Sequence, residues 1–161
     1  MSGNTLLVVG EGAWVGAVAE FLRPSGWRIA TYALEPPSHP VDEGDVGRRL
    51  IGEALAPLAA EASVAMETVL WPFERKRALV RALDAVLPPS VPLATWCSAQ
   101  STTEIASWTQ HPSRVVGYSL LPPLELVQLV EIAPGLATAA AASATVEELF
   151  AAAGRETARV R

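Results

Sequence analysis

Short apolar runs alternate along this chain with segments whose apolar positions recur every third or fourth residue, the two spacings that distinguish strands from helices. Residues 5–9 predict a first strand, and residues 13–22 a helix closed by Arg23-Pro24-Ser25-Gly26. A second strand is predicted at residues 27–32. It runs into a loop carrying Pro36, Pro37, Pro40 and Gly44, long for a compact unit and expected to be exposed. Leu50, Ile51, Ala54, Leu55 and Leu58 share one face of a helix predicted over residues 47–60. A third strand falls at residues 63–69, and a helix over 73–86 stops before Pro88-Pro89. Strands at 92–95 and 114–118 flank a short helix near 102–108. The remainder gives a strand at 127–132, an alanine-rich helix over 139–153 ended by Gly154, and a last strand at 157–160. Strands alternating with helices build βαβ units, so the pattern predicts an α/β fold with a mostly parallel sheet.

The junction of the first strand and helix reads Leu6-Leu7-Val8-Val9-Gly10-Glu11-Gly12-Ala13-Trp14-Val15-Gly16. In a dinucleotide-binding unit the first glycine makes the turn and the second lets the backbone approach a pyrophosphate. The free N–H groups of the following helix then attract its negative charge. The expected architecture is therefore a Rossmann-type doubly wound sheet with helices on both faces, in one domain spanning residues 1–161. Gly10, Glu11, Gly12, Ala13 and Trp14 are the candidate cofactor-binding residues of the turn. The third glycine of the pattern is due where Val15 stands, and a glycine follows one residue late as Gly16. The added isopropyl group is expected to displace the helix or reshape the turn. Glu11 sets a negative charge beside a pyrophosphate site, a repulsion of about 1 kcal/mol at an exposed turn. An acidic residue after the second strand normally accepts from the adenosine ribose hydroxyls. That place is Ala33, and Glu35 lies two residues further on in the loop.

Composition narrows the partners. Half of the 161 residues are apolar, yet no stretch approaches the roughly 20 apolar residues of a membrane span, so a soluble protein without a membrane segment is expected. The net charge is −5 and the longest basic run is Arg75-Lys76-Arg77, which argues against a nucleic-acid surface. The N-terminus has no charged region followed by an apolar segment, hence no expected signal peptide. A single cysteine, Cys97, excludes an internal disulfide and fits a cytoplasmic protein. Its neighbours Trp96 and Ser98 supply no cation, so it reads as a half-buried thiol rather than a nucleophile. His39 in the proline-rich loop and His111 before Pro112 read as solvated loop residues, and no metal site is assigned.

The second half carries a more specific signal. From Ala94 the chain runs ATWCSAQSTTEIASWTQHPSRVVGYSLLPPLELVQLVEIAPGLAT. Ser98, Ile105-Ala106, Pro112, Arg114, Gly117, Pro123 and Leu129-Val130-Glu131, with Val64-Ala65-Met66-Glu67-Thr68-Val69 upstream, resemble the NAD-binding domain of the 3-hydroxyacyl-CoA dehydrogenase family. The likeness is to its Ala-Ser-Asn-Thr-Ser-Ser strand end, Pro-x-Arg-x-x-Gly turn, His-Phe-Phe-Asn-Pro segment and Leu-Val-Glu-Val strand, and it covers essentially the whole chain. The resemblance implies NAD as cofactor and acyl-CoA as substrate. It also implies a histidine that takes the proton of the 3-hydroxyl while hydride moves to the nicotinamide, and a glutamate that orients that histidine. Glu131 holds the glutamate's place, but the histidine's place is Ser119, whose hydroxyl accepts no proton at neutral pH without a base beside it. The family's two asparagines are replaced by Trp96 and Pro122. The catalytic set is thus a degenerate one of Ser98, Ser119 and Glu131. Glu67 matches a cofactor-side glutamate, and it also reads as a strand-end carboxylate with no task.

The resemblance further implies an all-helical second domain that forms the dimer and closes over the acyl-CoA. With its last residues Ala158-Arg159-Val160-Arg161, this chain is expected to be a short form without it. Two functions follow. One is a dehydrogenase-like NAD-binding-domain protein with degenerate catalytic and cofactor positions, binding the dinucleotide weakly or not at all, weakly active or inactive, and serving as an interaction, regulatory or assembly module. The other is a working NAD-dependent 3-hydroxyacyl-CoA dehydrogenase, or a subunit completed by a partner. An enzyme of different chemistry built on Ser98, Ser119 and Glu131 would lack a histidine or lysine to activate either serine. The apolar segment Leu120-Leu121-Pro122-Pro123-Leu124 is expected at the surface the second domain would cover, and so to mediate a homodimer or a complex with another subunit.

Overall fold

The computed structural model describes residues 3–34 and 55–160. The loop prolines, Glu35, His39 and the first part of the helix expected over 47–60 lie outside these described residues.

The first strand, β1 (Thr5–Glu11), is apolar on both sides: Leu6 and Val8 pack into one layer, Leu7 and Val9 into the other. A strand of this kind belongs inside a parallel sheet covered on both faces. The elements that follow are α1 (Gly12–Leu22), β2 (Arg28–Leu34), α2 (Leu55–Ala60), β3 (Val64–Glu67), α3 (Phe73–Val86) and β4 (Leu93–Trp96). Then come α4 (Thr102–Ala106), β5 (Val115–Leu120), β6 (Leu129–Pro134), α5 (Ala140–Ala152) and β7 (Glu156–Arg159). They form one sheet in the order β2-β1-β3-β4-β5-β6-β7. The pairs β1–β2, β1–β3, β3–β4 and β4–β5 are parallel, β6 runs antiparallel to β5, and β7 is parallel to β6. Because β1 lies between β2 and β3, the winding reverses there and opens a crevice at the carboxyl ends of the strands.

Each face has its own core. Val15, Val18, Phe21 and Leu22 of α1 and Val146, Leu149 and Phe150 of α5 bury the side holding Leu6, Val8 and Met66. Leu55, Leu79, Leu83 and Ile105 of α2, α3 and α4 bury the other. Each large apolar side chain withdrawn from water in this way contributes about 1.5–3 kcal/mol. The carboxyl end of α3 is held by Arg114. Its guanidinium donates to the Asp84 carboxylate and carbonyl at 2.6 Å each and to the Pro88 carbonyl at 2.6 Å. Carbonyls that a helix end leaves without partners are thereby satisfied.

The Rossmann-type sheet with helices on both faces is as expected, and the helix over 73–86 coincides with α3. Boundaries moved elsewhere. β2 continues to Leu34, which brings Ala33 into the strand, paired with Gly10. α4 stops at Ala106. Val15 enters the core, whereas Gly16 faces outward, where an added Cβ would meet nothing within 4 Å. Gly16 is therefore no displaced third glycine.

Candidate functional site

The parallel strands end at one edge of the sheet, and the sequence-derived candidates gather there. β1 delivers Gly10 and Glu11, and α1 starts at once with Gly12, Ala13 and Trp14. Gly12 has φ +50°, a left-handed conformation that side chains resist, and nothing crowds its outer side. Gly10 is glycine for a different reason from the one expected: it lies inside β1, and a Cβ there would strike Thr68, whose side-chain hydroxyl and backbone nitrogen (3.1 Å) close over it. The Thr68 N–H in turn donates to the Val9 carbonyl at 3.0 Å. The loop after β3 thus lies directly against the glycine turn.

The start of α1 has no side-chain cap at Glu11, so its first N–H groups remain available at the crevice. These donors and the open backbone at Gly12 fit the pyrophosphate of NAD. The ribose side fits less well, because Ala33 is an exposed methyl group beside Gly10 with no acceptor for ribose hydroxyls. Glu11 does not present the exposed charge expected of it. It is partly buried and ion-paired with the buried Arg75 of α3, which cancels most of the repulsion anticipated for a bound anion.

Glu67 is held inside the protein. Its carboxylate is fully buried, ion-paired with Lys76, and accepts from Thr95 Oγ1 at 2.5 Å, the Trp96 N–H at 3.0 Å and the Val69 N–H at 2.9 Å. Lys76 also donates to the carbonyls of Val69 (2.9 Å) and Trp96 (2.8 Å). Glu67 thereby joins β3, β4 and α3. The Tyr118 hydroxyl donates to the Glu67 carbonyl at 2.9 Å, and burial pushes that phenol well above its ordinary range, with the Glu67 and Cys97 charges adding to it.

At the centre of the edge, Ser119 and Glu131 are cross-strand partners in the β5–β6 register. Ser119 Oγ donates to the Cys97 carbonyl at 2.6 Å, and Ser98 is the next residue, exposed. The fold therefore brings Ser98, Ser119 and Glu131 together. This hydrogen bond fixes the serine hydroxyl in position and ties β5 to the end of β4. The Cys97 thiol is pushed up by burial and lies 3.3 Å from Thr102 Oγ1, so it is no thiolate nucleophile. His111 is not simply solvated: its Nδ1 lies 3.2 Å from the Asp84 carboxylate, within the Arg114 cluster.

Sequence reasoning missed the aromatic content of this edge. Trp96 closes β4 only 4% exposed, its ring edge-on to Trp14 at 4.9 Å and tilted against Tyr118 at 5.8 Å. Trp71, in the loop after β3, is 58% exposed and lies against Phe73 with ring centroids 4.0 Å apart. Each stands at or a few residues beyond the end of an apolar strand, and that position was the available signal. Outside the edge, a cavity of about 320 Å³ separates Trp14, Ala17 and Phe21 from Pro122, Pro123 and Leu124. Leu121, Leu126 and Leu129 are exposed nearby in sequence. Among the described residues no three histidine, cysteine or acidic side chains are placed to hold a metal ion, and no helix is long and apolar enough to cross a membrane.

Comparison with known proteins matches residues 45–161 to the family described as 3-hydroxyacyl-CoA dehydrogenase, NAD binding domain. A probable 3-hydroxybutyryl-CoA dehydrogenase of Bacillus subtilis is 25% identical over 154 residues, 83% of this chain and 54% of that protein. An L-carnitine dehydrogenase of Streptomyces coelicolor is 35% identical over 109 residues, 67% of this chain and 34% of that protein. The crystal structure of (S)-3-hydroxybutyryl-CoA dehydrogenase from Ralstonia eutropha superposes with a TM-score of 0.79 at 21% identity, over 99% of this chain and 64% of that one. The chain spans about half, or less, of the length of these curated relatives.

Proposed function

Because this chain belongs to the family of 3-hydroxyacyl-CoA dehydrogenase NAD-binding domains, we propose that it is a form of that domain which keeps the dinucleotide turn and has lost the proton-transfer step. One observation carries the reading. At the position of the base stands Ser119, whose hydroxyl donates a hydrogen bond to the Cys97 carbonyl and supplies no base of its own. Glu131 keeps its register opposite Ser119 but has no imidazole to orient. On the cofactor side the uncapped start of α1 and Gly12 support nucleotide binding, and the methyl group of Ala33 weakens it.

Two measurements test this. Titration of NADH against tryptophan fluorescence reads the site through Trp14 at the head of α1, and saturable quenching is the expected result. Oxidation of NADH by acetoacetyl-CoA is expected to be at background, and steady turnover by the isolated chain would overturn the reading. A cytoplasmic location fits the single cysteine, whose thiol is partly buried.

A second reading is favoured by the apolar surface. Leu121, Leu126 and Leu129 are exposed in the segment that carries Pro122 and Pro123, and exposed apolar side chains of this kind are what a docking partner covers. A second copy or another subunit docking there would make this chain part of a complex, with the base or the acyl-CoA wall supplied in trans. Sedimentation showing only monomer at tens of micromolar, where weak dimers are populated, would count against it.

A further inference from the structure

In a doubly wound sheet the pyrophosphate sits over the first βα turn and the adenosine ribose over the end of the second strand, so the other nucleoside must cross the ends of the strands on the opposite side. Here the turn is Gly10–Trp14 and the adenosine side is β2. The other side is formed by β3, β4 and β5. On that side β4 ends in Trp96, whose indole is turned toward α1 and shares the α1–α5 core with Met66, Val116 and Tyr118. Trp14, in the first turn of α1, meets it edge to face at 4.9 Å. The two indoles thus join the head of α1 to the end of β4 across the carboxyl edge of the sheet. The wedge is held from below. Trp96 N–H donates to Glu67, its carbonyl accepts from Lys76, and its ring rests on Tyr118. With 4% of Trp96 exposed, there is no free space around its ring for a second aromatic group.

We propose that Trp96, wedged against Trp14, closes the half of the crevice that would take the second nucleoside of a dinucleotide, so that the site admits the adenosine diphosphate half of NAD alone. The inference rests on the reading that the glycine turn still takes a nucleotide, and it makes Trp96 the residue that sets which part of the ligand enters. A ligand held this way contributes its adenine, ribose and phosphates, and its nicotinamide remains in water. It also gives the proposed loss of activity a second cause, independent of Ser119: the nicotinamide is kept from the edge where Ser119 and Glu131 lie.

The test is the ratio of affinities for NAD and for ADP-ribose, measured by calorimetry on the full chain. For the unaltered protein the two are expected to agree within about twofold. Trp96→Asn, which opens the end of β4, is expected to tighten NAD at least tenfold and leave ADP-ribose unchanged. Trp14→Ala opens the same wedge from the helix side and keeps the test intact if Trp96→Asn fails to fold, as judged by circular dichroism. The proposal is overturned if the unaltered protein binds NAD tenfold more tightly than ADP-ribose, or if neither variant moves the ratio. If neither ligand binds the unaltered protein, the nucleotide-binding reading fails, and the variants still decide the wedge: NAD binding gained on opening it supports the inference, and none gained overturns it.

Discussion

Replacing Lys76 by methionine should cost this fold about 3–5 kcal/mol, because it strands a buried carboxylate. Glu67 is inaccessible to solvent and Lys76 nearly so, and the ammonium is the cation paired with that carboxylate. The methionine side chain would fill most of the volume but leave Glu67 charged among the dipoles of Thr95, Trp96 and Val69 alone. It would also orphan the carbonyls of Val69 and Trp96 that Lys76 now satisfies. Against a domain stability of about 5–15 kcal/mol this is a large fraction. At roughly 2–4 °C per kcal/mol for a chain of this size, the thermal midpoint should fall by roughly 6–20 °C. With slopes of about 1–3 kcal/mol per molar urea, the urea midpoint should fall by at least about 1 M, followed by tryptophan fluorescence and circular dichroism. Glu67→Gln with Lys76→Met should be better tolerated than the sum of the two single changes, by more than about 1 kcal/mol, since removing both charges removes the stranded one. Additivity within about 0.5 kcal/mol, or a loss below about 1 kcal/mol for Lys76→Met, would refute the lock. A third arm separates architecture from ligand binding. Glu67→Gln should lower stability while leaving NADH affinity unchanged at temperatures where the variant is folded, and a tenfold loss of affinity in that state would restore the cofactor-side role.

Other perturbations follow from the same geometry. Ser119→His combined with Ala33→Asp should raise NADH affinity, and with Trp96→Asn added to admit the nicotinamide it should give measurable oxidation of NADH by acetoacetyl-CoA, because a positioned base contributes roughly 10²–10⁴-fold. Unchanged affinity would show that the turn no longer aims a ribose at residue 33. Gly10→Ala should lower the unfolding free energy by about 1–3 kcal/mol, the usual cost of overpacking, since its methyl group would enter the space of Thr68. Thr68→Ser in that background should leave the loss largely intact, because the clashing hydroxyl remains. Asp84→Asn should destabilise by about 3–5 kcal/mol at neutral pH by leaving Arg114 buried without its partner. Burial pushes the Asp84 carboxyl up, but the Arg114 and Gln110 hydrogen bonds outweigh it and hold the group below its ordinary 3.8. A depressed carboxyl stabilises the fold above its unfolded value, and that contribution is lost as pH falls through the folded one. The gap between the unaltered protein and Asp84→Asn in urea melts should therefore narrow below about pH 4, and a gap constant down to about pH 2 would contradict the assignment.

The strands and helices were legible because each obeys its own local rule. Leu6 to Val9 are buried on both faces of the sheet, and the 3.6-residue spacing of α3 runs unbroken from Phe73 until Leu87-Pro88 can no longer continue it. The antiparallel turn of β6 was not legible, since a strand's apolar pattern is the same in either direction and only its pairing with β5 reveals the sense. The candidate site was legible at the level of positions. Ser119 and Glu131, placed by their match to the family's motifs, are direct cross-strand neighbours. What the motifs could not show was the company each side chain keeps. Glu11 looked like an exposed charge until α3 placed Arg75 against it, and Glu67 looked like a possible ligand group until Lys76, nine residues later, proved to close over it. Both partners come from the basic run Arg75-Lys76-Arg77, which as a sequence spoke only against a nucleic-acid surface. Two consecutive cations of that run are instead spent on the carboxylates that end β1 and β3. The charge a nucleotide would meet at this crevice is therefore set by α3 as much as by the glycine turn, and the turn alone does not determine what binds.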